Sequence, residues 1–143
     1  MYGVDVFPGL LKDRGLDPNN LPKADIREYI NDMDDCLAAA DLMISRGGAL
    51  TLSELQAAGR ASILIPSPNV AENHQYHNAM VLANNNAAIV IEEKDLTGKK
   101  LCETVEELCN APQRLKELGS NARSMAILDA NETIYQEIMK LLK

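Results

Sequence analysis

Apolar and polar positions along this chain follow two regimes. Up to about Ile91, short apolar runs alternate with stretches of helical spacing, and from Leu96 onward only helical spacing appears. Leu42–Ser45 (LMIS) and Ser62–Pro66 (SILIP) are apolar without polar alternation, the pattern of strands covered on both faces in a parallel sheet. Ala87–Ile91 (AAIVI) is a third such run. Asp25–Ile30 (DIREYI) alternates and contains Ile and Tyr, which predicts one more strand ahead of them. The intervening segments predict helices at Met33–Ala40 behind an Asn31-Asp32 cap, at Leu50–Ala58 stopped by Gly59, and at about Asn73–Asn84. The first 24 residues are broken by Pro8, Gly9, Gly15, Pro18 and Pro22 and are expected to be irregular, apart from one short helix at Pro8–Arg14.

Beyond Leu96, Lys99–Cys109 places Leu101, Val105, Leu108 and Cys109 on one helical face. Pro112 opens a helix carrying Leu115, Leu118, Ala122, Met125 and Ala126 at the same spacing. Asn131 is expected to cap a last helix with Ile134, Ile138, Leu141 and Leu142 turned inward. Strand and helix in repeated alternation imply a parallel sheet with crossover helices, so the fold class is α/β and Rossmann-like. In such sheets ligands sit beyond the carboxyl ends of the strands. That rule points to the loops after Ile30, Ser45 and Pro66.

The composition narrows the function classes. The chain has 143 residues, enough for one domain, with 46% hydrophobic and 24% charged residues. Fourteen basic against 21 acidic side chains give a net charge of −7, which argues against a nucleic-acid-binding surface. No apolar run approaches the roughly 18 residues of a membrane span, and no secretion signal is expected at the N-terminus. Cys36, Cys102 and Cys109 are odd in number and lack CxxC spacing, so neither a disulfide nor a zinc site is expected, and a reducing cytosol fits.

The strongest local signal is Ser45-Arg46-Gly47-Gly48-Ala49-Leu50-Thr51-Leu52-Ser53-Glu54. A buried strand ends, glycines let the backbone approach a ligand, and a helix begins whose first N–H groups are unpaired and partly positive. Such a helix start seats a phosphate or diphosphate. Thr51 can add a hydroxyl, and Glu54, one turn further in, could accept hydrogen bonds from a ribose diol. The plain alternative is a βα turn with Glu54 as a capping-box acid. A second cluster, Pro66-Ser67-Pro68-Asn69 with Glu72-Asn73-His74-Gln75-Tyr76-His77-Asn78, crowds polar side chains onto another helix start and suits a polyhydroxylated sugar. Its alternative is a solvated helix end. His74 and His77 lack a third ligand for zinc. Asp32 and Asp34 form a DxD, but at a helix start they are read as capping acids and not as metal ligands. Cys102 and Cys109, seven apart, are read as core.

Taken together, in this order and separation, these stretches resemble the C-terminal, donor-binding domain of the MurG-like N-acetylglucosaminyltransferase family of peptidoglycan synthesis. The resemblance is carried by Tyr29–Met33, Ala39–Leu42, Ser45–Glu54, Ile63–Pro66 and Asn73–Ala79, with Ala122-Arg123 and Asp129-Ala130 in the tail. It implies a metal-independent, inverting transferase of two Rossmann-like domains that takes UDP-N-acetylglucosamine and converts lipid I to lipid II, with no cofactor. It implies a cytoplasmic enzyme, peripheral on the cytoplasmic face of the cell membrane, serving cell shape and division. It also implies site roles: Ile30 contacts uracil through its backbone with Met33 nearby. Gly48, Ala49, Leu50 and Thr51 line the diphosphate, Glu54 holds the ribose, His74 and Gln75 address the sugar hydroxyls, and Asn78 supports them.

Against the family's pattern the chain reads as a single partial donor-nucleotide-binding domain, 1–143: irregular at 1–24, a βα core at 25–91 and C-terminal helices at 96–143. The first two strands of that domain and the whole acceptor-binding domain have no counterpart here, so the chain is not expected to catalyse transfer alone. The lipid-linked acceptor would be reached only through that other domain. Without central neighbours, Leu42–Ser45 is expected to be an open apolar edge that invites a homodimer or strand-exchanged assembly, a re-paired sheet, or poor order in the first 30 residues. Two further readings stand beside the main one: a non-catalytic interaction module of the same fold, and a piece of a related diacylglycerol glycosyltransferase.

Overall fold

A computed structural model describes residues 12–15, 17, 23–68 and 73–141. The chain divides into two units, Met1–Met33 and Asp34–Lys143.

In the first unit, Lys12–Gly15 form a turn in which the Gly15 N–H donates to the Lys12 carbonyl at 2.9 Å. The remainder of the helix expected at Pro8–Arg14, residues 8–11, lies outside the described residues. The strand expected at Asp25–Ile30 is not formed. The segment pairs with no described strand, and Tyr29 is 76% exposed. Alternation alone does not make a strand, because the ladder needs a neighbour to take its N–H and C=O groups. Here polar contacts are local: Arg27 Nε donates to Asp25 at 2.8 Å and Arg27 Nη1 to Asp32 at 2.9 Å.

The second unit is a three-stranded parallel sheet with helices on both faces. α1 (Met33–Ala39) leads in, followed by β1 (Leu42–Ser45), α2 (Ala49–Ala58), β2 (Ala61–Leu64), α3 (His74–Asn84) and β3 (Ile89–Val90). A 3-10 turn at Glu93–Asp95 then precedes α4 (Gly98–Cys109), α5 (Pro112–Ser124) and α6 (Ala130–Leu141). The strand order is β1-β2-β3, with Leu42 opposite Ala61 and Ile63 opposite Ile89. Every residue of β2 is buried, as its unbroken apolar run requires. Leu64 faces a cluster with Leu52 and Leu55 of α2 and Ala79 and Leu82 of α3. Ala61, Ile63 and Ile65 face Leu108 of α4 and Leu118 of α5. β1 lies at the sheet edge, and its Ile44 is 47% exposed.

The helix stops follow their residues. Gly59 closes α2 in the left-handed region (φ 63°), its N–H bonding the Gln56 carbonyl while Arg60 N–H bonds Leu55. Gly119 of α5 packs against this turn so closely that a Cβ on it would lie 2.5 Å from the Gly59 carbonyl oxygen. Thr97 caps α4, its hydroxyl accepting the Lys100 N–H at 3.1 Å.

Two expectations about the helices fail. Cys102 and Cys109 are exposed and not core, because Leu101, Val105 and Leu108 alone face the sheet. On α6, Ile134, Ile138 and Leu141 are exposed and not turned inward, since the helix joins neither core cluster. α6 begins at Ala130, so Asn131 lies inside it and not at its cap. Leu142 lies outside the described residues.

Candidate functional site

The loops that leave the carboxyl ends of β1, β2 and β3 meet at one end of the sheet. After β1, the Gly47 backbone has φ +83°, and the residue is buried. A side chain there would meet the Gln75 carbonyl oxygen and the Ala79 Cβ, both at 3.8 Å. The glycine turn therefore lies directly against the first turns of α3, so the two sequence clusters are brought together.

Gly48 is the N-cap of α2, with extended backbone (φ −62°, ψ 148°) and no side-chain cap. The first intrahelical bond runs from Leu52 N–H to the Gly48 carbonyl at 3.0 Å, leaving the N–H groups of Ala49, Leu50 and Thr51 ahead of it. No acidic residue occupies this first turn. The helix start thus offers three aligned donors and uncompensated partial positive charge, a seat for an anion. Leu50 is 75% exposed and Thr51 half-buried. Glu54 is exposed on the solvent face of α2 and makes no hydrogen bond or ion pair with another described residue. With Gly48 as the cap, the capping-box position falls on Thr51, so Glu54 is not a capping-box acid.

α3 starts at His74, behind Asn73 in the left-handed region (φ 55°). His74 is exposed, and Gln75 is half-buried with its Oε1 accepting the Ser67 N–H at 2.9 Å. Gln75 thus ties the loop after β2 to α3 and leaves its amide nitrogen as the remaining donor. Asn78 and Ala49 line a groove of about 200 Å³ between α2 and α3. His77 is exposed and stacks edge-on against Tyr76, with ring centroids 5.9 Å apart. Asn69 and Glu72 lie outside the described residues. Ile30 is half-buried and Met33 opens α1, both within the first unit.

The site has a third wall that the sequence reading missed. Pro66, Pro68, Asn73 and Tyr76 enclose, with Glu92–Lys94, a cleft of about 120 Å³ beside the carboxyl ends of β2 and β3. The Lys94 ammonium lies 3.0 Å from Glu92, whose hydrogen bond and charge raise its pKa. Arg46 reaches from the loop after β1 to Glu93 after β3, with Nη1 2.9 Å from Oε1. The signal was available: Ala87–Ile91 was read as a strand, and the rule that ligands sit past strand ends applied equally to the charged turn behind it.

Comparison with known proteins follows the same lines. The glycosyltransferase family 28 C-terminal domain matches residues 11–134. The UDP-N-acetylglucosamine–N-acetylmuramyl-(pentapeptide) pyrophosphoryl-undecaprenol N-acetylglucosamine transferase of Acetivibrio thermocellus is 45% identical over 141 residues, covering 99% of this chain and 38% of the relative. The transferase of the same name from Thermoanaerobacter sp. is 49% identical over 113 residues, covering 79% of this chain and 31% of the relative. The chain therefore spans about a third of the length of these curated relatives. Among solved structures, Acinetobacter baumannii MurG superposes with a TM-score of 0.82 at 32% identity, covering 98% of this chain and 39% of that one. Glycosyltransferase VinC, solved in complex with dTDP, shares the fold with a TM-score of 0.68 at 19% identity, covering 92% of this chain and 31% of that one.

Proposed function

The chain belongs to the glycosyltransferase family 28 C-terminal domain family, and on that premise we propose that it is the donor-binding part of an inverting N-acetylglucosaminyltransferase that converts lipid I to lipid II. The observation that carries this reading is the placement of the bare α2 N-terminus against the start of α3, at the carboxyl end of a parallel sheet. The Ala49, Leu50 and Thr51 N–H groups would take the diphosphate of UDP-N-acetylglucosamine behind the open backbone of Gly48. Glu54, on the same helix one turn on and uncommitted to any described partner, would accept hydrogen bonds from the ribose hydroxyls. His74 and the amide nitrogen of Gln75 would meet the hydroxyls of the sugar, with Asn78 in support. Ile30 and Met33 keep the uracil role that the resemblance implies.

In the reaction, UDP leaves as an anion while the acceptor hydroxyl attacks the anomeric carbon from the opposite face. Fixed dipoles at the α2 start would stabilise the charge growing on the leaving diphosphate. The acceptor and its base would come from outside these residues, and the working place would be the cytoplasmic face of the cell membrane. Among the described residues no helix is long and apolar enough to cross a membrane.

Calorimetric titration with UDP-N-acetylglucosamine tests the reading. Saturable binding is expected, weakened about tenfold or more in Glu54→Ala, since a hydrogen bond to a charged group contributes roughly 1.5–3 kcal/mol. No heat at millimolar donor, or equal affinity in the variant, refutes it. The exposed edge of β1 favours a second reading, in which a homodimer or strand-exchanged assembly extends the sheet. Light scattering giving a concentration-independent monomer mass refutes that one.

A further inference from the structure

A further cavity opens at the amino ends of the strands, the end of the sheet away from the glycine turn and the starts of α2 and α3. Asp41 stands immediately before β1 and Arg60 immediately before β2. With Gly59, Pro112, Leu115 and Lys116 they line a cavity of about 310 Å³. Arg60 is half-buried, and its Nη2 donates to the Ala38 carbonyl at the end of α1. Its Nε–H is buried and has no hydrogen-bond partner among the described residues. Leaving a buried charged donor without an acceptor costs free energy, so such a group points to an acceptor supplied from outside the chain. Lys116 is exposed and makes no hydrogen bond or ion pair with another described residue. Cations elsewhere in the fold find carboxylates, as Arg46 finds Glu93 and Arg114 finds Glu117. Acids outnumber bases 21 to 14, so two cations without a carboxylate on one cavity are a property of that place.

The start of α5 does not supply the seat. Pro112 has no N–H, and the Arg114 and Leu115 N–H groups both bond the Ala111 carbonyl. The side chains must do the binding. Arg60 keeps Nε–H and its Nη1 N–H groups for a ligand, in a planar fork that matches phosphate oxygens, and Lys116 adds a point charge. Asp41 is exposed on the same lining and makes no hydrogen bond or ion pair with another described residue. Its carboxylate opposes a bare anion but accepts from a hydroxyl. Leu115 and Pro112 offer apolar surface to a short carbon skeleton. We propose that this cavity binds a small, hydroxylated phosphate ester, its phosphate on Arg60 and Lys116 and a hydroxyl donating to Asp41. The inference stands apart from the donor-binding reading and uses none of its residues.

The test is NMR titration of the isotope-labelled full chain with glycerol 3-phosphate, inorganic phosphate and acetate, with sodium chloride holding the ionic strength constant. Saturable shifts are expected at the amides of Gly59, Arg60, Leu115 and Lys116 with both phosphates and not with acetate. The ester is expected to bind about threefold or more tighter than inorganic phosphate, a preference that Asp41→Ala abolishes. Arg60→Gln should weaken both phosphates about tenfold or more. Lys116→Gln should weaken them about two- to fivefold, since its charge is exposed. Arg60 also holds Ala38, so Lys116→Gln is the variant that keeps the fold intact, with an unchanged urea midpoint as its control. A Lys116→Gln chain that binds as wild type does overturns the proposal. So do acetate saturating with equal affinity, an ester that binds no tighter than phosphate, and a preference that survives in Asp41→Ala. Shifts confined to the Ala49–Thr51 amides overturn it too, while leaving the donor-binding reading intact.

Discussion

Replacing Gly119 by alanine probes how α5 is set against the turn after α2. An ideal Cβ at this position lies 2.5 Å from the Gly59 carbonyl oxygen, 3.3 Å from its carbonyl carbon and 3.5 Å from the Ala61 nitrogen. Comfortable heavy-atom contacts lie at about 3.5–4.0 Å, so the methyl overlaps the oxygen by about 1 Å. All three neighbours are backbone, and no side chain can rotate out of the way. Overpacking costs about 1–3 kcal/mol, and with only backbone in the way the upper part of that range, about 2–3 kcal/mol, applies. Alanine gives back roughly 0.8–1 kcal/mol over glycine inside a helix. The net expectation is a loss of about 1–2 kcal/mol, or roughly 3–6 °C in Tm for a chain of this size. Urea unfolding followed by circular dichroism measures it, with the midpoint falling and the slope unchanged. A Gly119→Ala chain as stable as wild type would refute the close contact and the register of α5 on the sheet.

Three other outcomes follow from the packing. Leu118 is fully buried among β-strand side chains, so Leu118→Ala should lose about 2–5 kcal/mol, and a loss under about 1 kcal/mol in the same urea assay would contradict its place in the core. Ser62 is 0% exposed and its hydroxyl has no hydrogen-bond partner among the described residues, so Ser62→Ala should be neutral or stabilising by up to about 1 kcal/mol. A clear destabilisation there would reveal a partner for the hydroxyl. Cys102 and Cys109 are exposed and Cys36 is half-buried, so a thiol reagent should label two sites quickly and the third slowly in native buffer. Equal rates at all three would refute that placement.

Much of the fold was legible because its signals are local. The runs LMIS and SILIP lack polar alternation since β2 has helices on both faces, and Gly59 stops α2 because the turn requires positive φ. Segments whose state depends on neighbours were misread. Asp25–Ile30 has strand chemistry and no ladder partner among the described residues, so its polar groups turn to local partners. Cys109 has helical spacing relative to Leu101 and Val105, yet spacing cannot say how wide the covered stripe is. The apolar positions of α6 mark a face, but periodicity does not supply the surface that would cover it. At the site, the glycine turn and both helix starts were readable, because strand–glycine–helix is a local motif. The ion pair of Arg46 was not, since its partner Glu93 lies on the far side of β2.

The sequential order of the strands also sets a schedule for the growing chain. α2 and α3 emerge between the strands they connect, so one side of the sheet gains its cover as the sheet itself appears. The opposite side, with Ala61, Ile63, Ile65 and Ile91, waits for Leu108 and Leu118 from the helices that come afterwards. About thirty residues separate Ile91 from the end of α5, which at 5–20 residues per second is roughly 2–6 s of synthesis. For that interval a nascent chain carries a naked aliphatic wall, and the pace of translation through α4 and α5 governs how long other polypeptides can find it.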